Sequence, residues 1–456
     1  MISEFLTSLF AFLVAIAILV AVHEFGHFWV ARKLGVKVLR FSLGFGKVIW
    51  RRQRGETEYV LSALPLGGYV KMLGERDTEV PEHERHRAFS TQPVWKRSAI
   101  VAAGPLFNLG FAAFVYICVF LVGVPGTRPV VGEIEAGSYA AAAGFENGDL
   151  IVTIGGEPVE SWEDARLVLL KQVLSGSVSE VSVVASDGRQ ATRRLAFGDN
   201  ELLKDEGDIL ENIGMAPWRP AANLIVMEPQ PGSPAERSGL QPGDHISMVD
   251  GQPVRFWSDW VRLVQAHPGA QLKLSVQRKG APIELTIVTE TRQDGEKAVG
   301  SIGAMVQLEP IDSAAWDRMQ LVVSYPPLQS VIKGLDKTLD MTLFSFKIIG
   351  KLVVGDASLK NVSGPLTIAD YAGKTLSIDY RIFLNLLAVV SIGLAVLNIL
   401  PIPMLDGGHL LYYAIEFLIG RPLPERIQIL GQNIGIFLLA CLMSLAFYND
   451  IMRLMR

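Results

Sequence analysis

The chain has 456 residues, of which 19% are charged and 50% are hydrophobic, and its mean hydropathy is +0.31. Soluble domains contain about 25% charged residues, so this composition predicts membrane-spanning segments. The net charge of −4 and the lack of a basic stripe exclude a nucleic-acid-binding protein. The two cysteines lie inside apolar segments, which excludes a disulfide framework and a cysteine-based metal site.

The first predicted element is a transmembrane helix over residues 1–30. It has Glu4 rather than a basic start, and no small-residue cleavage site follows it, so we expect a retained anchor and not a signal peptide. Three ionisable residues, His23, Glu24 and His27, lie in this apolar segment. Because polar groups in hydrocarbon are costly, they predict a functional site.

These three residues form the pattern His-Glu-x-x-His. On a helix, side chains four residues apart share a face, so both imidazoles can bind one metal ion while Glu24 takes a proton from water beside it. The alternative is a structural pair of buried histidines, which leaves the acid between them unexplained. Catalytic zinc needs a third protein ligand, and this pattern does not supply one.

Residues 31–97 are predicted to form a cytoplasmic or membrane re-entrant β region. Basic residues follow the first helix and recur at Lys96 and Arg97, and the positive-inside rule places this region in the cytoplasm. Residues 36–74 have an extended pattern that is apolar on both faces, which indicates a hairpin sheet beside the membrane helices. Such a sheet must be covered by protein or line a wet cavity. A second transmembrane helix is predicted over residues 98–122.

The next region is a repeat, with one copy predicted at 128–220 and the other at 221–308. The sequence GSYA at 137–140 recurs as GSPA at 232–235, and Gly-Asp, Gly-x-Pro-Val and Trp follow at the same spacing in both copies. Short β-type runs and one helical stretch in each copy predict two α+β modules. The modules resemble PDZ domains, which bind peptides by strand addition. The alternative to peptide binding is structural: the repeated glycines and Gly-Asp pairs would only build turns.

The last third of the chain is predicted to contain an amphipathic surface-helix region at 312–380 and transmembrane helices at 381–406 and 427–448. The amphipathic helix fits equally well on the membrane surface or packed against protein. Asp406 follows an apolar helix that two prolines would unwind, and a carboxylate on irregular backbone at membrane depth is suited to bind a cation. His409 is the competing candidate for the third ligand, and we favour Asp406.

Three motifs together carry a family resemblance: HEFGH at 23–27, GPLFN at 104–108 and NILPIPMLDG at 398–407. The chain resembles the site-2 protease family of intramembrane zinc metalloproteases, and the paired modules resemble its regulator-of-sigma-E type. This resemblance implies a multi-pass α-helical membrane protein with four transmembrane helices, a membrane-associated β-hairpin sheet and two extracytoplasmic PDZ-like α+β modules.

The resemblance also implies site residues. His23, His27 and Asp406 would bind Zn²⁺, and Glu24 would be the catalytic base. Five residues are predicted to position the substrate: Asn108, Asn398, Gly67, Gly68 and Tyr69.

The implied setting is the bacterial inner membrane, with the active site near its cytoplasmic face and the PDZ-like modules in the periplasm. Implied substrates are single-pass membrane proteins, such as an anti-sigma factor or a remnant signal peptide, after an upstream site-1-type protease has cut them. Lipid is the other expected partner. Two other functions compete with this one: a non-enzymatic receptor with a structural metal site, and a metal transporter. Glu24 disfavours the receptor, and the scarcity of ionisable residues in the other spans disfavours the transporter.

Overall fold

The computed structural model describes residues 2–75, 80–176, 178–197, 202, 208–220, 222–254, 257–294, 297–310 and 313–454. Its helices are α1 (Ile2–Lys33), α2 (Val94–Val122), α3 (Tyr139–Ala142), α4 (Trp162–Ser175), α5 (Ile209–Asn212), α6 (Pro234–Arg237), α7 (Trp257–Gln265), α8 (Ser313–Met319), α9 (Pro327–Val354), α10 (Pro365–Ile378), α11 (Tyr380–Ile399), α12 (Asp406–Ile419) and α13 (Glu425–Leu454). Its strands are β1 (Val38–Arg54), β2 (Thr57–Met72), β3 (Val124–Thr127), β4 (Val131–Ile134), β5 (Leu150–Ile154), β6 (Glu157–Pro158), β7 (Ser179–Val184), β8 (Gln190–Leu195), β9 (Met215–Pro217), β10 (Ala222–Val226), β11 (His245–Val249), β12 (Gln252–Pro253), β13 (Gln271–Arg278), β14 (Ala281–Val288), β15 (Glu290–Asp294), β16 (Lys297–Ser301), β17 (Val306–Pro310) and β18 (Gln320–Val323).

Within those ranges, four helices are long and apolar enough to cross a membrane: α1, α2, α11 and α13. The prediction of four such helices is therefore confirmed. Helix α2 lies at the centre and packs against α1, α9, α11 and α12. Its residues Val115, Tyr116 and Val119 form a buried cluster with Ile392 and Val396 of α11. Leu106 and Phe114 of α2 are more than half exposed, so the helix keeps an apolar surface on the side that its neighbours do not cover.

Helix α11 is shorter than the predicted third span, which was expected to run to residue 406. It ends at Ile399, and a second helix, α12, begins at Asp406. The residues between include Pro401 and Pro403, which lack the N–H that would continue the helix. Asp406 therefore lies at the start of its own helix and not at the end of a membrane span.

Strands β1 and β2 are long, and different parts of them pair to give a sheet of four strand segments, or ribbons. Arg40 of β1 faces both Lys71 and Glu58, so the first half of β1 lies between two parts of β2. The ribbons lie in the order 67–72, 38–45, 57–64 and 48–54. Gly44 and Gly46, with φ of 88° and 84°, allow the bend in β1 because other residues rarely adopt positive φ. Ribbon 67–72 is one edge of the sheet and ribbon 48–54 is the other.

The two copies of the repeat fold as separate α+β units, each with its own core. The first core surrounds Trp162 of α4, and the second surrounds Trp260 of α7. In both, the Gly-Ser motif begins a short helix: Ser138 Oγ accepts a hydrogen bond from Ala141 N–H, and Ser233 Oγ accepts one from Glu236 N–H. The repeated serine is therefore a helix N-cap.

The repeated Gly-Asp pair holds a buried ion pair in both modules. Asp149 accepts hydrogen bonds from Arg193 Nε (3.0 Å) and Nη2 (3.3 Å). Asp244 accepts the matching pair from Arg278, both at 2.7 Å. Both carboxylates are fully buried, so this aspartate joins a tight turn to a strand of the module core. The repeated Gly-Asp pair predicts a turn in the sequence, but it does not reveal that an arginine binds the aspartate.

We expect Asp244→Asn to lower the stability of the second module by about 1–3 kcal/mol, because the buried carboxylate loses its charge-assisted hydrogen bonds from Arg278. Burial raises the pKa of Asp244, but hydrogen bonds from Arg278 and from the Gln241 N–H outweigh it and hold the pKa below its ordinary value. A carboxyl whose pKa is lowered on folding adds stability above its unfolded pKa of about 4, and this is lost as the pH falls through the folded pKa.

Hydrogen exchange of the α7 and β13 amides in the full-length protein measures this loss. Glu290→Gln is the control, since Glu290 and its partner Arg237 are both exposed and such a pair contributes less than about 1 kcal/mol. Equal effects of the two substitutions would contradict the buried-pair assignment.

Helix α9 joins the first module to the membrane helices. Its small residue Gly334 is buried against α2, where an added Cβ would lie 2.6 Å from Ile117 Cγ1. Lys171 of α4 donates a hydrogen bond to Asp340 of α9 at 2.8 Å. Leu335 and Leu339 on another face are more than half exposed. Helix α9 is thus packed on one side, and contact of its exposed apolar face with lipid stays a prediction.

Candidate metal centre and active site

Three side chains from distant parts of the chain converge beside the centre of the helix bundle. His23 and His27 lie one turn apart on α1, and Asp406 is the first residue of α12. The His23 and His27 Nε2 atoms are 3.2 Å apart. Asp406 Oδ2 lies 3.2 Å from His23 Nε2 and 3.5 Å from His27 Nε2. The structure therefore brings together the three predicted metal ligands.

The spacing of these three atoms fits a zinc ion. With zinc–ligand bonds of about 2.0–2.1 Å and tetrahedral angles, two ligand atoms lie about 3.3–3.4 Å apart, close to the three observed separations. Oδ2 of Asp406 is buried and accepts no hydrogen bond from any described residue. A buried carboxylate oxygen without a donor is costly, and a cation would satisfy it. Among described residues the cluster contains Asp406 and not His409.

The loop before α12 presents Asp406 through close backbone contacts. A Cβ on Gly407 would lie 2.1 Å from the Leu400 carbonyl oxygen, and one on Gly408 would lie 2.5 Å from that of Ile402. Both glycines are therefore needed for α12 to begin against the loop. Met404 has a φ of 99°, a strained conformation for a residue with a side chain, of the kind found at functional sites.

Glycines also bring α1 and α2 together at the site. A Cβ on Gly104 of α2 would lie 2.3 Å from His27 Nε2 and 2.8 Å from His23 Cε1. On α1, a Cβ on Gly26 would lie 2.5 Å from the Ala103 carbonyl oxygen. His27 Nδ1 lies 2.9 Å from the Ile100 carbonyl oxygen, which holds the ring in place. Sequence reasoning missed the steric role of these glycines.

Glu24 lies between the histidines in sequence and faces the sheet. A Cβ on Gly68 would lie 2.9 Å from Glu24 Cγ, so the sheet edge at 67–72 approaches the acid closely. The Tyr69 hydroxyl accepts a hydrogen bond from Arg40 Nη1 at 3.1 Å, and its ring stacks with Phe45 at 6.3 Å. Glu24 thus contacts the sheet edge at Gly68 and follows His23 directly on α1.

The other predicted residues divide into two groups. Asn108 is 1% exposed and lies beside His23, with its Nδ2 3.4 Å from His23 Nδ1. Gly67 lies under the Phe45 ring at the same sheet edge as Gly68. Asn398 is half-buried on the last turn of α11 and is not in the metal cluster. Its predicted role with substrate stays a prediction.

Helix α13 also contacts the loop that carries Asp406, although sequence reasoning left its role open. A Cβ on Gly435 would lie 1.7 Å from the Pro403 carbonyl oxygen, and one on Gly431 would lie 2.2 Å from the Tyr412 hydroxyl. The two glycines are four residues apart, the small-x-x-x-small spacing that lets membrane helices approach closely. The four-residue spacing of the two glycines is visible in the sequence, but the loop that they contact is not.

This chain matches known proteins over nearly its full length. The family model for peptidase family M50 matches residues 11–442. The chain belongs to peptidase family M50. It is 42% identical to the regulator of sigma-E protease RseP of Escherichia coli (strain K12), over 99% of this chain and 100% of that protein. It is 41% identical to RseP of Salmonella typhimurium (strain 14028s / SGSC 2262), over 98% of this chain and 99% of that protein.

A Neisseria meningitidis serogroup A protein whose name describes a zinc metalloprotease is also 42% identical, over 98% of this chain and 99% of that protein. This M50 peptidase is therefore a zinc metalloprotease of the intramembrane, site-2 type, as the sequence motifs predict. The four apolar helices are those of a membrane protein.

Proposed function

We propose that His23, His27 and Asp406 hold one zinc ion and that this enzyme cleaves peptide bonds within transmembrane segments of single-pass membrane proteins. The convergence of three metal-binding atoms beside Glu24, on a membrane-length helix, is the observation that carries the proposal. Bound zinc supplies Lewis acidity that activates water and polarises the scissile carbonyl.

Glu24 is the proposed proton carrier. The carboxylate takes a proton from the attacking water as its oxygen bonds to the scissile carbonyl carbon, and it passes that proton to the amine as the carbon–nitrogen bond breaks. The His27 imidazole is held by the Ile100 carbonyl and keeps its Nε2 turned toward the site. Water must reach the metal centre. The basic residues Arg32, Lys33 and Arg97 at the nearby helix ends support access from the cytoplasmic side.

Chelation tests the enzymatic function. In liposomes that contain the full-length protein and a single-span substrate, a membrane-permeant chelator should abolish cleavage, and a stoichiometric amount of Zn²⁺ should restore it. Cleavage that persists after zinc has been removed, as measured by elemental analysis, would contradict the proposed mechanism.

The edge of the sheet at 67–72 is the proposed docking place for substrate. The backbone amides of a helical substrate are already bonded within its helix, so the segment must unwind before its carbonyl can react. An unwound segment can pair with a free strand edge, and Gly67, Gly68 and Tyr69 lie on the edge that approaches Glu24. Asn398 is a further candidate for holding the substrate backbone.

Proline at this edge should therefore block cleavage. We expect Tyr69→Pro to lower the rate at least about tenfold with zinc retained, because proline removes a backbone donor and distorts the edge. Arg52→Pro is the matched control, since it places the same distortion on the opposite edge of the sheet. Cleavage rates and zinc content of both variants give the measurement, and equal rates would exclude edge pairing at 67–72.

The modules and the cellular role form the last part of the proposal. Relatives that share the whole chain are named regulators of sigma-E, which supports an anti-sigma factor as the substrate of this enzyme in the bacterial inner membrane. The PDZ-like modules would lie in the periplasm and admit a substrate only after an upstream protease has trimmed it. Deletion of residues 128–308 should then permit cleavage of untrimmed substrate, and failure to cut it would exclude a steric gate.

A further inference from the structure

Both histidines turn the same ring nitrogen toward the metal centre. The Nε2 atoms of His23 and His27 face each other and face Asp406, so they are the ring atoms available to a cation. A neutral imidazole has one protonated nitrogen, and only the other can bind metal. The ring proton of each histidine must therefore reside on Nδ1.

For His27 the acceptor of that proton is evident. Its Nδ1 lies 2.9 Å from the Ile100 carbonyl oxygen, an atom that can only accept. This contact selects the tautomer that leaves Nε2 free. For His23 the polar neighbour of Nδ1 is the Asn108 carboxamide, whose Nδ2 lies at 3.4 Å.

The Asn108 side chain is buried, and its hydrogen bonding is incomplete. The residue is 1% exposed, and its Oδ1 has no hydrogen-bond partner among the described residues. Its backbone is held, because Ser391 Oγ donates to the Asn108 carbonyl oxygen at 2.8 Å. The Asn108 backbone is therefore held in α2, and its buried carboxamide lies against the His23 ring.

The two ends of a carboxamide have nearly the same shape, and their hydrogen-bond partners decide which end faces which. An amide N–H₂ facing Nδ1 would push the ring proton onto Nε2 and block metal binding. With the amide turned, Oδ1 accepts the Nδ1 proton and leaves Nε2 free. We infer that Asn108 is a positioning residue whose Oδ1 accepts the Nδ1–H of His23 and so selects its metal-binding tautomer.

This inference rests on the proposed zinc site and replaces the substrate-holding role expected for Asn108. The two histidines would then be held alike, His27 by a backbone carbonyl and His23 by a side-chain carbonyl. Partners that orient metal-binding histidines typically change metal affinity 10–100-fold when they are removed. A residue that only holds substrate would leave zinc affinity unchanged.

The test measures the zinc dissociation constant of the purified full-length protein by competition with a chromophoric chelator. We expect Asn108→Leu, which keeps the volume and removes the acceptor, to weaken zinc binding about 10–100-fold. Asn108→Asp keeps an acceptor for Nδ1–H and should bind zinc at least as tightly as the wild type, because a carboxylate partner raises the basicity of the ring. Gly110→Ala lies on the same helix, where its added Cβ meets no atom within 4 Å, and should bind like the wild type.

Unchanged zinc affinity in Asn108→Leu, with slower cleavage, would overturn the inference and return Asn108 to substrate binding. Equal weakening in Asn108→Asp and Asn108→Leu would also overturn it. The wild type and His23→Ala test the zinc site itself. If the wild type binds no zinc, or if His23→Ala binds it as tightly, the proposed zinc site is contradicted. Thermal unfolding with chelator present checks that each variant is folded, and Asn108→Ala, which also removes the acceptor, replaces the leucine variant if that one does not fold.

Discussion

Glu24→Gln is expected to lower the cleavage rate by about 10²–10⁴-fold, the usual contribution of a general base. Glutamine has nearly the same size and keeps a polar side chain beside Gly68, but it cannot take a proton from water. The three proposed metal-binding atoms belong to other residues, so zinc should stay bound. The measurement is cleavage of a reconstituted single-span substrate, with zinc content determined on the same preparation.

His23→Ala is the contrasting variant, because it removes a proposed ligand and should lose both zinc and cleavage. If Glu24→Gln cleaves at the wild-type rate with zinc present, the acid is not the proton carrier. If it loses zinc as His23→Ala does, Glu24 belongs to the metal site itself.

Gly104→Ala is expected to remove zinc binding and cleavage together, with cleavage reduced at least about 100-fold. The added methyl group would lie 2.3 Å from His27 Nε2, closer than any real contact, so the ring or helix α2 must move. A misplacement of about 1 Å at a reacting centre typically costs about 100-fold in rate. Zinc content and cleavage are measured as for Glu24→Gln.

Gly110→Ala is the matched control on the same helix. Its added methyl group meets no atom within 4 Å, so we expect no loss of zinc and no loss of cleavage. Alanine favours a helix over glycine by about 1 kcal/mol, so the change in helix propensity alone should stabilise both variants. Only Gly104→Ala also introduces a steric clash. Full activity in Gly104→Ala would show that α1 and α2 can separate without harm to the site.

The α1 part of the site is predictable because its geometry is local. The four-residue spacing of His23 and His27 becomes a shared face as soon as the segment is helical. The apolar composition around them predicts that Glu24 lies at membrane depth. The third ligand was less certain, since Asp406 and His409 are three residues apart and both follow the same prolines.

The long apolar segments, the constant spacing of the repeat and the His-Glu-x-x-His pattern were sufficient to predict four membrane-length helices, two α+β modules and a metal site, and the family resemblance implied a zinc protease. Periodicity and composition act within one segment, and these features lie within single segments. The contacts between segments came from folding: Asp406 beside the histidines, Asn108 against His23, and Gly435 against the loop at Pro403. Each depends on how close two backbones approach, a distance that a linear pattern does not contain.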